Sequence, residues 1–466
     1  MRTLTFTIIF LLIAAFTRNP AVTQTANVNA ENWKAEANQR IEQHRKTEVT
    51  LTVTQNSKPI KNAEIKLTML NHEFKFGSDI LLWGRTRSEE DNAKHNRLFA
   101  DVFNAASIVT YWVGVEKEKG KPDFEYTRKV TDWCKQNNIF MLGTPLFYCH
   151  HDPIWAKAVS PDELWQRQLQ FSETLPKHFK NQIDAWVVAN EFAQNNYNAD
   201  VYKRWAPITN RNINRLGEIQ SIKANFEAAR KGNPNAVLLI NDDKHGQGYE
   251  DLLNRLKDEN SKPVFDAIGI QSHMRNRIWD DKTIMNVCEQ FAKFGVPIYF
   301  TETSIMIGEE GERQADEAER FYTMLFSHPA VDGIFWWDFA DPKGLWYEGG
   351  GSRNYNPRVE GLPPFHDPKQ IIMASWEDEP SGLIRGDMTP KPIYERLKKL
   401  IKRDWTTNTT LQTDANGNAK IRVFRGTYSV EITLPDGTKT VREFHTQKEK
   451  NHWQTECSTS VLSIKK

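Results

Sequence analysis

The chain has 466 residues, 39% hydrophobic and 26% charged, an ordinary globular mix and long enough for a large core plus a smaller unit. Lysine and arginine number 61 against 60 acids, a net charge of +1, and no long block of one sign occurs. That balance excludes the electrostatic footprint of a nucleic-acid or membrane-surface binder.

At the N-terminus, one early arginine precedes an apolar run over 4–16 that is short for a membrane span. The pattern predicts a signal peptide at 1–26, a secreted or periplasmic protein and no membrane span. Four cysteines, Cys134, Cys149, Cys288 and Cys457, are scattered without CxxC or Cys/His spacing. Free buried thiols are expected, with no metal site and no cofactor.

Residues 31–46, "ENWKAEANQRIEQHRK", read as a charged helix. In 47–70, two alternating runs flank a Ser-Lys-Pro turn, which reads as a hairpin-like pair of strands. Near the other end, 409–446 reads as about four short strands broken by Asn-Gly and Asp-Gly turns. Between them, short apolar runs such as "AWVVAN", "AVLLIN", "AIGIQSH", "PIYFTET" and "GIFWWDFA" alternate with amphipathic stretches such as "RLGEIQSIKANFEAARK". Strand–helix alternation over that length predicts an α/β fold, a closed (β/α)8 TIM barrel over 79–402. No glycine-rich loop opens a helix, which counts against nucleotide folds.

A two-strand unit alone cannot bury a face. The segments 27–78 and 403–466 are therefore expected to build one accessory β-sandwich together, with the barrel inserted between them. The alternative is two separate β elements packed on the barrel. "SKPIKNAEIKL" with "TDANGNAKIRVFRGTYSVEITL" resembles the prealbumin-like sandwiches of carboxypeptidase regulatory domains.

Barrel enzymes carry their chemistry at the C-terminal ends of strands. Here "AWVVAN" runs into Glu191, "AVLLIN" into Asp242 and Asp243, "AIGIQSH" into His273, and "PIYFTET" contains Glu302. Two glutamates on separate strand ends suit acetal cleavage, in which one carboxyl protonates the leaving oxygen while the other stays ionised. Asn190 is suited to hold a sugar hydroxyl, and His273 to hold Glu302 ionised. The bland alternative is a rim of salt bridges.

"WVVANE", "IGIQSH" and "IYFTET", with Glu302 standing 111 residues after Glu191, resemble glycoside hydrolase family 10, the retaining β-1,4-xylanase family. "FKFGSD", "GTPLFYCHHDPIW", "LLINDDK" and "GIFWWDFAD" agree with it, so the likeness covers about 74–402. The resemblance implies Glu191 as general acid/base and Glu302 as nucleophile. It implies substrate binding by Asn190, Gln271, His273, Trp337, Trp346 and Tyr148, and a polysaccharide partner, xylan or a related β-glycan. Departures stand beside it. The Glu-Asn pair and the Lys that the family carries after "FN" are missing from 103–124, and Thr144, Tyr148 and Cys149 replace its His, Trp and His. A shift of one residue would bring His150 or His151 into the last position. These changes put the sugar in question more than the reaction. Three readings follow: a xylanase, the same mechanism on a decorated or different β-glycan, and a non-catalytic carbohydrate-binding protein on the same scaffold. The stretch 347–382 reads as an irregular loop over the cleft.

Overall fold

Each apolar run of the central region becomes a short strand, and the amphipathic stretches between them become helices laid outside. The computed structural model describes residues 20–457, apart from 87, 150, 151, 199–205, 276, 308–310, 342–380, 447, 449 and 450. The apolar run at 4–16, His150, His151, Trp346 and nearly all of 347–382 therefore lie outside the described residues.

Three strands precede the barrel: β1 (Lys46–Gln55), β2 (Lys58–Pro59) and β3 (Glu64–His72). The barrel consists of β4 (Lys75–Asp79), β5 (Ala105–Val109), β6 (Phe140–Thr144), β7 (Phe147–Tyr148), β8 (Ala185–Asn190), β9 (Val237–Asp242), β10 (Ala267–Arg275), β11 (Ile298–Met306) and β12 (Val331–Trp336). All pair in parallel, and β12 closes on β4. β6 and β7 both lie along β8 and serve as one interrupted strand. The expected (β/α)8 barrel is the result.

Its lower interior is filled by Ala105, Leu142, Ala185, Val187, Leu239, Ala267, Tyr299 and Phe335. Side chains on a strand alternate in and out, so the next inward positions of β9 and β10 are Asn241, Gly269, Gln271 and His273. The apolar runs turn polar because their last inward rung has left the core and reached the mouth.

The described segments on either side of the barrel meet in two further sheets. β13 (Asn408–Gln412), β14 (Asn418–Phe424), β15 (Gly426–Thr433), β16 (Lys439–His445) and β17 (Asn451–Glu456) follow the barrel. One sheet runs β14-β1-β17 with β2 on β1, and the other β13-β3-β15-β16. Val49, Leu51 and Val53 of the first face Ile65, Leu67, Tyr428, Val430 and Ile432 of the second across one core. The joint accessory sandwich is present.

The hairpin reading of 47–70 is overturned. β1 folds back only onto the two-residue β2, while β3 belongs to the opposite sheet. Side by side, β1 and β3 would share one uncovered apolar face. Across a core each covers the other, and the C-terminal strands supply the ladders. β17 was not anticipated and pairs parallel with β1.

The expected N-terminal helix runs Pro20–Arg45, and Arg45 locks its end to the barrel. Its buried guanidinium donates to the carbonyls of Phe326 at 2.6 Å, His328 at 2.5 Å and Val331 at 2.6 Å. All four cysteines are buried and free. Among the described residues no helix is long and apolar enough to cross a membrane.

Candidate active site

Two β-bulges aim the site. In β8 the register passes from Val187↔Leu239 to Ala189↔Ile240, so Val188 is an extra residue. In β11 it passes from Phe300 opposite Ile270 to Glu302 opposite Gln271, so Thr301 is extra. One inserted residue reverses the in–out alternation beyond it. Asn190 and Glu302, which strict alternation would send outward, are thereby turned into the mouth. Glu191 then leaves the strand at φ +62°, with its N–H donating to the Asn241 carbonyl at 3.0 Å. A left-handed non-glycine residue costs about 1–3 kcal/mol, strain of the kind that gathers at functional sites.

The two glutamates share a network of amides. Asn241 Nδ2 donates to Glu302 Oε1 at 2.9 Å and to Asn190 Oδ1 at 2.8 Å. Thr301 Oγ1 donates to Asn241 Oδ1, which fixes the amide so that its nitrogen faces both partners. Gly269 makes room for it, because a Cβ there would stand 2.4 Å from Asn241 Oδ1. Gln271 Nε2 donates to Glu191 Oε1 at 2.9 Å, and Tyr148 Oη donates to Glu191 Oε2 at 2.9 Å. Asn190 Nδ2 stands 3.4 Å from Glu191 Oε1.

His273 lies between two partners, with Nε2 3.3 Å from Glu302 Oε2 and Nδ1 2.9 Å from Ser304 Oγ. A neutral ring that donates to Glu302 through Nε2 needs Ser304 to donate to Nδ1. Trp337 is edge-on to this imidazole, with ring centroids 6.4 Å apart. Its backbone N–H is held by the Thr303 carbonyl at 2.8 Å.

Burial raises the pKa of Glu302. His273 and Asn241 pull it down, and the charge of Glu191 adds to the rise. Across the mouth, burial pushes Asp79 up to about 6, although it accepts N–H bonds from Leu81, Phe339 and Asp338. Burial likewise raises Asp338, with Asp79 beside it. Two carboxyls joined by oriented amides, in a pocket where charge is costly, suit chemistry in which one is ionised while the other carries a proton.

Glu191, Glu302, Asn190, Gln271, His273 and Tyr148 are thus brought together, and Trp337 stands against His273. Trp346 lies outside the described residues. Asn241 went unassigned, although counting inward from Leu239 reaches it. Asp242 turns out to be a brace: it accepts the N–H of Ala193 at 2.8 Å and of Lys244 at 3.0 Å. Among the described residues no group of His, Cys, Asp and Glu is placed to hold a metal ion.

Comparison with known proteins adds to this geometry. The family described as Glycosyl hydrolase family 10 matches residues 68–359. An anti-sigma-I factor, RsgI6, of Acetivibrio thermocellus is 26% identical over 413 residues, 86% of this chain and 47% of that protein. Endo-1,4-beta-xylanase 1 of Arabidopsis thaliana is 23% identical over 408 residues, 84% of this chain and 37% of that protein. This chain therefore spans less than half the length of either relative. Among solved structures, xylanase 10B from Thermotoga petrophila RKU-1 in complex with xylobiose has a TM-score of 0.54 at 21% identity, covering 71% of this chain and 95% of that one, which speaks for the fold. With that family matching well over half of the sequence, the chain belongs to glycosyl hydrolase family 10.

Proposed function

We propose that this chain is a retaining glycoside hydrolase cleaving β-1,4 linkages in a plant polysaccharide, with xylan the first substrate. The observation that carries this is the joining of Glu191 and Glu302, from two strand ends, through Asn190, Asn241 and Gln271. Glu302 attacks the anomeric carbon while Glu191 passes its proton to the leaving oxygen. Glu191 then takes a proton from water, which displaces Glu302 and restores both groups. Asn190, Gln271, His273, Tyr148 and Trp337 form the wall that holds the sugars, and Trp346 is a further sugar-binding residue by the family resemblance alone. The xylanase names of several relatives support xylan as the substrate.

The same proposal takes 79–402 as the catalytic unit, its first strand reaching back to Lys75, with 27–78 and 403–466 as a structural clamp. It takes 1–26 as a signal peptide, which makes the protein secreted or periplasmic.

Release of reducing sugar across a panel of soluble β-glycans tests the reading. Xylan should be cleaved by the wild type, and Glu302→Ala should stay folded and inactive. An active Glu302→Ala protein would refute the nucleophile assignment. Cleavage of another β-glycan in place of xylan would keep the mechanism and change the substrate. Binding without turnover is the second reading. Binding of glycan by an inactive wild type would establish it.

A further inference from the structure

Beside the site, the C-terminal ends of β4 and β5 border a cavity of about 60 Å3 that the reaction above does not use. Ile80, Leu81 and Ile108 form an apolar wall, and Arg85, Tyr111 and Tyr126 supply the polar part. The Arg85 guanidinium carbon lies 3.4 Å from the centroid of the Tyr126 ring. The Tyr126 hydroxyl is directed to the carbonyls of Leu81 and Trp83, at 3.2 and 3.1 Å. Stacking occupies one face of the guanidinium and leaves its N–H groups at the edge. Among the described residues none of them meets a carboxylate or another acceptor. Asp123 also borders the cavity, but one of its oxygens accepts the N–H of Glu125 at 2.9 Å, and it makes no ion pair with Arg85. Arg85 is half-buried, so its guanidinium gives up part of its hydration without a counter-charge, and that burial pulls its pKa down. Such a group calls for an anion.

Size and position narrow the choice. A water-sized probe needs roughly 10–15 Å3, so the space takes a carboxylate with its carbon but not a whole pyranose. Tyr111, on the cavity wall, packs its ring 5.9 Å from Tyr148, whose hydroxyl donates to Glu191. The cavity is therefore two side chains from the acid, within reach of a substituent on a bound glycan. We propose that Arg85 binds the carboxylate of a uronic acid unit carried by the substrate, through the two-pronged pairing that guanidinium and carboxylate favour. This rests on the glycan reading above.

Calorimetric titration in a Glu302→Ala background tests it without turnover. Three ligands are compared: a linear xylo-oligosaccharide, the same chain bearing a uronic acid branch, and that branched chain with its carboxyl reduced to the alcohol. The acid should bind at least about tenfold more tightly than the alcohol, as expected for a hydrogen-bonded charge pair. Arg85→Gln should abolish the difference and leave the linear ligand unaffected; Arg85→Lys should keep only part of it. Free uronic acid should bind at least about tenfold more weakly than the branched chain. Equal binding of acid and alcohol, or a preference that survives Arg85→Gln, would overturn the Arg85 assignment alone. Free acid binding as tightly as the branched chain would make the cavity a general anion site and overturn it too. If no ligand binds, the glycan reading falls, and this assignment with it.

Discussion

Replacing Asn241 with alanine removes the amide that Glu302 and Asn190 share, 2.9 and 2.8 Å away. A hydrogen bond to an ionised carboxylate contributes about 1.5–3 kcal/mol. At about 1.4 kcal/mol per pKa unit, that is roughly one to two units. The sign follows from the site: burial raises Glu302 and Asn241 lowers it, so the variant's carboxyl rises further. The acid limb of kcat/KM, which reports the free nucleophile, should move up by about one to two units. Below that limb the rate should drop by about 10- to 100-fold. The assay is a pH–rate profile on an aryl β-xyloside with a good leaving group, which needs little proton transfer from Glu191. Stability offers a second check. A carboxyl whose pKa is raised by folding disfavours the folded state only above its unfolded value, here 4.5. The extra destabilisation of Asn241→Ala should therefore be larger at neutral pH than at pH 4. A folded variant that loses rate with an unmoved acid limb would refute the reasoning.

Glu191→Ala should lose activity on xylan yet keep most of it on aryl glycosides with good leaving groups, measured as kcat on the two substrate types. Tyr148→Phe removes the hydroxyl donated to Glu191 at 2.9 Å and should lower kcat by about two- to tenfold on poor leaving groups, with less effect on aryl substrates. Arg45→Met leaves three buried carbonyls without their donor and should cost roughly 3 kcal/mol in urea unfolding, with kcat per folded molecule unchanged.

The barrel was legible because its apolar runs and amphipathic stretches alternate over hundreds of residues, and each run turns polar where it leaves the core. The acid pair was legible for the same reason: Glu191 and Glu302 follow directly on β-branched and aromatic runs. Local geometry was not. Strict alternation from Val187 and Tyr299 sends Asn190 and Glu302 away from the pocket, and only the extra residues Val188 and Thr301 bring them in. A bulge depends on pairing between strands, which one strand's sequence does not carry. Asn241 was overlooked because an uncharged amide beside Asp242 and Asp243 looks incidental until its three partners are seen. The hairpin reading of 47–70 failed because local alternation cannot say which of two sheets a strand will join.

The sandwich also bears on how the protein is made. Thr52 and Asn418, hydrogen-bonded across β1 and β14 at 2.7 Å, are separated by 366 residues. At about 5–20 residues per second, a ribosome needs roughly 20–70 s between them. Throughout that interval Val49, Leu51, Ile65 and Leu67 have no ladder partners while the barrel emerges and closes. Apart from the two-residue β2 on β1, both strands present unpaired edges during that wait, exposed to one another and to neighbouring chains. The chain is thus open to aggregation between the emergence of β3 and that of β13, while its largest unit folds, and residues 408–456 complete the sandwich that β1 and β3 began.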